Sequence, residues 1–221
     1  MIFLWLSHIL SNETPLYGGA DNLSIISDKS ISSGDSCNTS AINLPSHAGT
    51  HVDAPNHFIP NGRTIDSYSP NEFIFKTPFV IDIDVLPSSL IKPRDIAKYD
   101  IPKQTDLIVF KTGFETFRGE DIFWQQNPGL APELAEFLTL KYPALRAVGI
   151  DFISISTPKH REKGRVTHGE FLQRGILIFE DMRLCDLNPK AQLQKVIALP
   201  LRFQNGDGAP VSIIGVIDEN I

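Results

Sequence analysis

Residues 47–57 read His47-Ala48-Gly49-Thr50-His51-Val52-Asp53-Ala54-Pro55-Asn56-His57. Three of the chain's six histidines fall here, with a carboxylate among them. Imidazole and carboxylate bind zinc, manganese or iron, and imidazole also carries protons near neutral pH. A cluster this dense points to a metal-dependent enzyme rather than to scattered surface histidines.

The backbone path through this stretch decides how the ligands are offered. His47 and His51 stand four apart, the spacing that pairs ligands on one helix face. Gly49 and Thr50 are weak helix formers, however, and Pro55 would end a helix just after Asp53. His51, Asp53 and His57 are separated by even numbers, which in an extended chain places them on one side. Gly49 lets the backbone bend so that His47 joins them. Two imidazoles and a carboxylate then match an open catalytic site with three protein ligands and room for water. His57 is left over as a proton shuttle.

Outward from this motif, short apolar runs punctuated by Pro, Gly, Asn and Asp dominate. They predict strands over 2–6, 37–44, 79–85, 106–111, 146–151, 176–180, 195–203 and 211–217. Helices are fewer. The clearest runs from Ala131 to Lys141, with Pro132 in its first turn and Pro143 beyond its end. Others are expected near 93–99, 121–126 and 168–174, the last closed by Gly175. Strands outnumber helices without alternating regularly, which predicts a mixed α/β chain with a large, mostly β core rather than a doubly wound parallel sheet. No repeat, linker or charge block divides it, so residues 1–221 read as a single domain.

The balance of residues narrows the function. Hydrophobic content of 42% and charged content of 21% are ordinary for a soluble globular protein. A net charge of −6, with no Lys/Arg-rich run, argues against nucleic acid as partner. The apolar start, Met1 to His8, is too short to span a bilayer and lacks the parts of a secretory signal, so it reads as a buried strand and no membrane partner is expected. Cys37 and Cys185 stand far apart, which favours reduced thiols in a cytoplasmic protein.

The motif His-x-Gly-Thr-His-x-Asp-x-Pro-x-His over 47–57 resembles the signature of the metal-dependent cyclase-like hydrolases, the family of bacterial kynurenine formamidase and isatin hydrolase. Further segments resemble the same family: Leu6-Ser-His-Ile-Leu10, Thr14-Pro-Leu-Tyr17, Phe110-Lys-Thr-Gly113, Asn127-Pro-Gly-Leu130, Gly149-Ile-Asp151, Leu199-Pro-Leu201 and Gly206-Asp-Gly-Ala-Pro210. The similarity spans nearly the whole chain.

The resemblance implies a swivelling β/β/α cyclase fold, a homodimer or homotetramer, and a small-molecule substrate. It also implies two distant ligands, matched here by His168 and Glu180. In the kynurenine formamidase branch the site is binuclear. Carried over, His47, His51 and Asp53 hold one ion, and Asp53 and Glu180 bridge to a second that His168 also binds. Other branches use a single ion, so one or two divalent ions per chain, zinc or manganese, are implied. The expected reaction is hydrolysis of a C–N bond in a small amide or cyclic amide, arylformamidase-like, by a metal-activated hydroxide with His57 shuttling the proton. The same chemistry would open an ester or lactone. A chain that kept the ligands without a workable pocket would instead be a metal-binding scaffold.

Tyr17 stands where the formamidase branch carries a substrate-stacking Trp; it keeps an aromatic face and adds a hydroxyl. Other residues read more blandly. His8 is a core or supporting histidine and His160 belongs to a polar loop. Phe73, Phe75 and Phe79 read as β core, and Trp124 as core or a subunit contact. Asp151, Asp207 and the pair Asp82 and Asp84 are turn residues or supports to the site.

Overall fold

In a computed structural model describing residues 1–188 and 192–218, the apolar runs assemble one mixed sheet of nine strands. Its order is Ile74–Phe75, Leu193–Pro200, Gly208–Ile217, His51–Asp53, Leu177–Glu180, Ala147–Ile150, Leu107–Lys111 and Pro78–Asp82, with Ile2–Trp5 also paired to Gly208–Ile217. From Pro78–Asp82 to Leu177–Glu180 neighbours run parallel. From Leu177–Glu180 to Ile74–Phe75 they run antiparallel. The strand His51–Asp53 is therefore flanked antiparallel on both sides, next to the parallel half.

The inner parallel strands are apolar up to Lys111 and Glu180 at their ends because both faces of the sheet are covered there. Leu107 and Val109 join one hydrophobic cluster, Ile108 and Phe110 the other, and all four are fully buried. Helix Glu133–Lys141 packs Leu134, Ala135 and Leu138 into the second cluster. Phe171 and Leu172 of helix Arg161–Gln173 do the same. Phe73 and Phe75 are buried and Phe79 partly so, the β-core role expected of them. Trp124 is half-buried against the core and close to Gly19.

The mixed, strand-dominated α/β architecture matches the sequence reading, with four differences. The first strand, Ile2–Trp5, is not buried: among the described residues it pairs on one side only, and Phe3 and Trp5 are more than half exposed. An unanticipated strand, Ser24–Lys29, forms an exposed hairpin with Thr39–Asn43. Only Ile25 of it packs on a small side cluster of Leu16, Leu23 and Ala48, while Ile26 and the polar remainder are exposed. The helices expected near 93–99 and 121–126 shrink to single turns, Pro93–Ile96 and Ile122–Gln125.

The fourth difference bears on the site. The helix expected to start at His168 begins at Arg161, so His168 is mid-helix. Its polar first turns and Gly164 disguise it as a loop. Gly164 is required by packing, since a Cβ there would lie 2.1 Å from Ser156 Oγ.

Candidate metal centre

Strand register assembles most of the site. His51 and Asp53 alternate onto one face of their strand, and Glu180 lies directly across from His51 on the antiparallel neighbour. Asp53 lies across from Gly208 on the other side. A Cβ at Gly208 would come within 2.5 Å of His47 Cε1, so only glycine leaves room for that imidazole. His47 enters from the preceding turn, where Gly49 holds φ +60°, as the sequence anticipates. Helix Arg161–Gln173 brings His168 from the opposite side.

His57 departs from the extended path expected of it. Pro55 opens a 3-10 turn over Pro55–His57, so only His51 and Asp53 share the strand face. The turn carries His57 above the strand, where its ring stacks on His47 at 3.9 Å between centroids.

The inner four residues are almost fully buried: His51, Asp53, His168 and Glu180 expose 4% or less. His51 Nδ1 lies 2.8 Å from the Gly49 carbonyl, and His168 Nδ1 lies 2.8 Å from that of Gly164. A carbonyl only accepts, so both rings keep a proton on Nδ1 and turn Nε2 inward towards the carboxylates. His51 Nε2 stands 3.5 Å from Asp53 Oδ1 and 3.3 Å from Glu180 Oε2. His168 Nε2 stands 3.6 Å from Asp53 Oδ2 and 3.4 Å from Glu180 Oε1. Ligands about 2.0–2.1 Å from a tetrahedral ion are ~3.3–3.4 Å from one another. Two sets of donors with nearly that spacing thus share Asp53 and Glu180.

The outer pair is arranged differently. His47 Nδ1 is 2.8 Å from Asp53 Oδ1 and its Nε2 is 2.8 Å from Asp207 Oδ2, so both nitrogens face carboxylates. His57 Nδ1 lies 3.4 Å from the same Asp207 oxygen. Burial works against charge on His47, but the bonds to Asp207 and Asp53 prevail and lift its pKa to about 9. The bond from His47 in turn holds Asp207 well below the usual carboxylate range. Burial is the leading influence on His57 and leaves its pKa lowered.

The donor set fits a divalent cation on a direct observation. Asp53 Oδ2 is buried and finds no hydrogen-bond donor among the described residues. An unpartnered buried carboxylate oxygen costs on the order of 1–3 kcal/mol or more unless positive charge meets it. His51 and His168 oppose that cost only as cations: despite burial, the two carboxylates raise both imidazole pKa values. A divalent ion replaces those protons and satisfies the same oxygens.

The centre forms the floor of a pocket of about 350 Å³, lined also by Tyr17, Phe58 and Ile153. The half-exposed Tyr17 is brought to the site. Phe58, which no motif marks, stacks on the His168 ring at 4.4 Å. Asp207 acquires its role only in three dimensions, although it sits in the family-like segment Gly206–Pro210.

A supporting layer lies around the site; its Arg118–Asp181 pair escaped the sequence reading, while His8 and Asp151 take the supporting roles open to them. Arg118 grips buried Asp181, beside Glu180, through Nε at 2.9 Å and a second nitrogen at 2.8 Å. His8 donates its backbone N–H to Thr50 Oγ1 at 2.8 Å, and its Nε2 lies 3.8 Å from Glu115. Burial, with Arg118 and Arg183, pushes the His8 pKa down to about 3. His160 is in a 3-10 turn, half-buried and outside the pocket lining. Asp151 instead caps the loop at Thr112 and Gly113 through its carboxylate.

A family model described as "Putative cyclase" matches residues 4–157, well over half the chain. The chain belongs to the putative cyclase family. Relatives extend the match past His168 and Glu180. A kynurenine formamidase from Geobacillus thermodenitrificans is 29% identical over 213 residues, covering 93% of both chains. Cyclase-like protein 2 of Oryza sativa is 26% identical over 95% of this chain and 77% of its own. A solved structure described as a potential metal-dependent hydrolase with cyclase activity is 25% identical, with TM-score 0.76 over 97% of this chain and 96% of that one. Isatin hydrolase A from Ralstonia solanacearum, at 18% identity, shares the fold with TM-score 0.83 over 98% and 92% of the two chains.

With hydrolases among its full-length relatives, this cyclase-family chain is a hydrolase. Among the described residues no helix is long and apolar enough to cross a membrane. Cys37 and Cys185 are exposed and unpaired with each other.

Proposed function

We propose that the chain is a metal-dependent hydrolase cleaving the C–N bond of a small amide or cyclic amide. One observation carries this reading: two donor sets, spaced for a divalent ion and sharing Asp53 and Glu180, lie at the floor of a small-molecule pocket. One or two ions, zinc or manganese, would be held by His47, His51, Asp53, His168 and Glu180. A bound ion supplies Lewis acidity, lowering the pKa of water and polarising the substrate carbonyl.

The chain's own residues do the rest. His51 and His168 are locked by the carbonyls of Gly49 and Gly164, so their donor atoms need no reorganisation. His57 sits above the floor with burial lowering its pKa, which leaves a neutral imidazole near pH 7. It is placed to take the proton from attacking water and return it to the leaving nitrogen. Tyr17 and Phe58 offer aromatic faces to the substrate body.

The reading extends to the whole chain as one domain and to a homodimer or homotetramer. A second concavity, of about 1250 Å³, is bordered by exposed Trp5, Ile9, Leu199 and Leu201, an apolar surface suited to self-association. The exposed free thiols suit a cytoplasmic setting.

The test is metal analysis of protein purified without added metal, then assays of N-formyl arylamines, isatin-like lactams, imides and lactones with zinc or manganese. At least about one ion per chain and turnover of an amide or lactam are expected. Failure to bind either metal after reconstitution overturns the reading.

A further inference from the structure

Glu180 ends its strand, and the residue that follows it has an unusual backbone. Asp181 holds φ +51°, in the left-handed region. Among the described residues three other non-glycines do so, Asn61, Ser88 and Asn205, and none of them is buried, whereas Asp181 is 1% exposed. A side chain in that region crowds the backbone carbonyl, so the conformation persists where the surroundings impose it.

The surroundings of Asp181 hold both its backbone and its side chain. Its N–H donates to the Phe152 carbonyl at 2.9 Å, and its carbonyl accepts from Thr50 Oγ1 at 2.5 Å. Its carboxylate accepts Arg118 Nε at 2.9 Å on Oδ1 and Arg118 Nη2 at 2.8 Å on Oδ2. Thr50 directly precedes His51. Arg118 lies against the Gly49 turn, where an added Cβ would stand 3.9 Å from Nη2. Asp181 thus ties the end of the Glu180 strand to the segment that carries His47 and His51.

The pair is unlike the other arginine–carboxylate pairs among the described residues. In Arg63–Glu72, Arg94–Asp95, Arg146–Asp106, Arg174–Glu170 and Arg183–Asp186 the acidic side chain is 13–54% exposed, against 1% for Asp181. Burying an ion pair costs desolvation that mutual attraction roughly offsets, and an apolar replacement is often as stable. Net stability is therefore a weak reason for this pair, and the fixed geometry of a two-nitrogen fork is a better one.

We propose that Arg118 and Asp181 are positioning residues for the candidate ligand Glu180: their clamp holds the left-handed turn that aims its carboxylate at the ion. This rests on the metal-centre reading and concerns how tightly that centre takes its ion. Ile155 N–H, 2.7 Å from Glu180 Oε1, holds the far end of the ligand side chain, and the clamp holds its backbone end. Removing outer partners of a ligand weakens metal binding about 10–100-fold.

The test strips the protein with a chelator and measures zinc affinity by competition with a chromophoric chelator, beside denaturant unfolding of the same metal-free samples. Arg118→Ala/Asp181→Asn removes both charges and keeps at 181 a residue that tolerates left-handed φ. It should regain part of the stability that Arg118→Ala loses, yet bind zinc about 10–100-fold more weakly than the unaltered chain. Arg118→Lys keeps the charge without the fork and should fall between the two in affinity. Cobalt(II) bound to the double variant should show altered visible absorption, because a displaced carboxylate changes the field at the ion. Undiminished zinc affinity in the double variant, or affinity that merely follows the unfolding midpoint across the three variants, overturns this inference and leaves the metal-centre reading standing. An unaltered chain that takes up no zinc defeats that reading and this inference with it.

Discussion

His51 and His168 each commit Nδ1 to a backbone carbonyl and aim Nε2 inward, whereas His47 and His57 lean on the side chain of Asp207. The first pair, with Asp53 and Glu180, is a buried floor set by strand register and one helix. The second pair is a rim set by a glycine turn and a 3-10 turn. The difference teaches that imidazoles of one site can be anchored in two ways, by backbone carbonyls on the floor and by carboxylates at the rim. The two floor imidazoles are fixed through backbone carbonyls that a side-chain change elsewhere leaves alone. The half-buried Asp207 backs both rim imidazoles, and buried Asp53 holds His47 as well.

The largest effect is expected from setting one substitution in each region side by side. Asp53→Ala removes the carboxylate shared by both donor sets, and metal content after dialysis should fall below detection along with activity. His57→Ala should keep its metal while kcat drops about 10²–10⁴-fold. Equal metal loss in both variants would erase the floor–rim distinction; metal analysis and steady-state kinetics read it.

Next in size is the layer beneath the floor. Arg118→Ala leaves Asp181, 1% exposed, without its bidentate partner. A destabilisation of about 3–5 kcal/mol is expected by denaturant unfolding. Arg118→Ala/Asp181→Asn should recover part of it, because the stranded charge is gone.

The smallest effect is pH-linked. Burial raises the Glu115 pKa to about 7, from an ordinary 4.5, although the Leu184 N–H works to lower it. The folded state therefore holds its proton more tightly than the unfolded chain. That stability is fully present below about pH 4.5 and is lost as pH rises through 7. Glu115→Gln should flatten the loss, gaining roughly 2–3 kcal/mol at pH 8 and little at pH 4. Unfolding midpoints at the two pH values test it; a gain of the same size at both would assign the effect to packing instead.

Much of the candidate site was legible. His51 and Asp53 share a strand face because alternation is a local property of extended chain. Gly49 marks the bend because it alone there adopts φ +60° without cost. His57 was misplaced on the extended path because the turn opened by Pro55 depends on contacts such as the Ile59 N–H to the Pro55 carbonyl. The helix over Arg161–Gln173 was shortened because its exposed polar turns lack an apolar stripe, while Gly164 answers to Ser156 rather than to helix propensity. Phe58 and Arg118 carried no signal of their own, and Asp207 only that of a turn residue or support within a family-like segment. Each matters through a partner distant in sequence: His168, His47 and Asp181.

The sequence by itself determined which donor atoms this protein offers, that two of them share a strand face, and that strands outnumber helices. Those are matters of side-chain chemistry and of local backbone preference, which act over a few residues. Tertiary structure decided that Glu180 lies opposite His51, that Asp53 and Glu180 serve two donor sets, and that helix Arg161–Gln173 brings His168 to the same floor. Those depend on register between strands and on where a helix docks, which are set by burial of surfaces far apart along the chain.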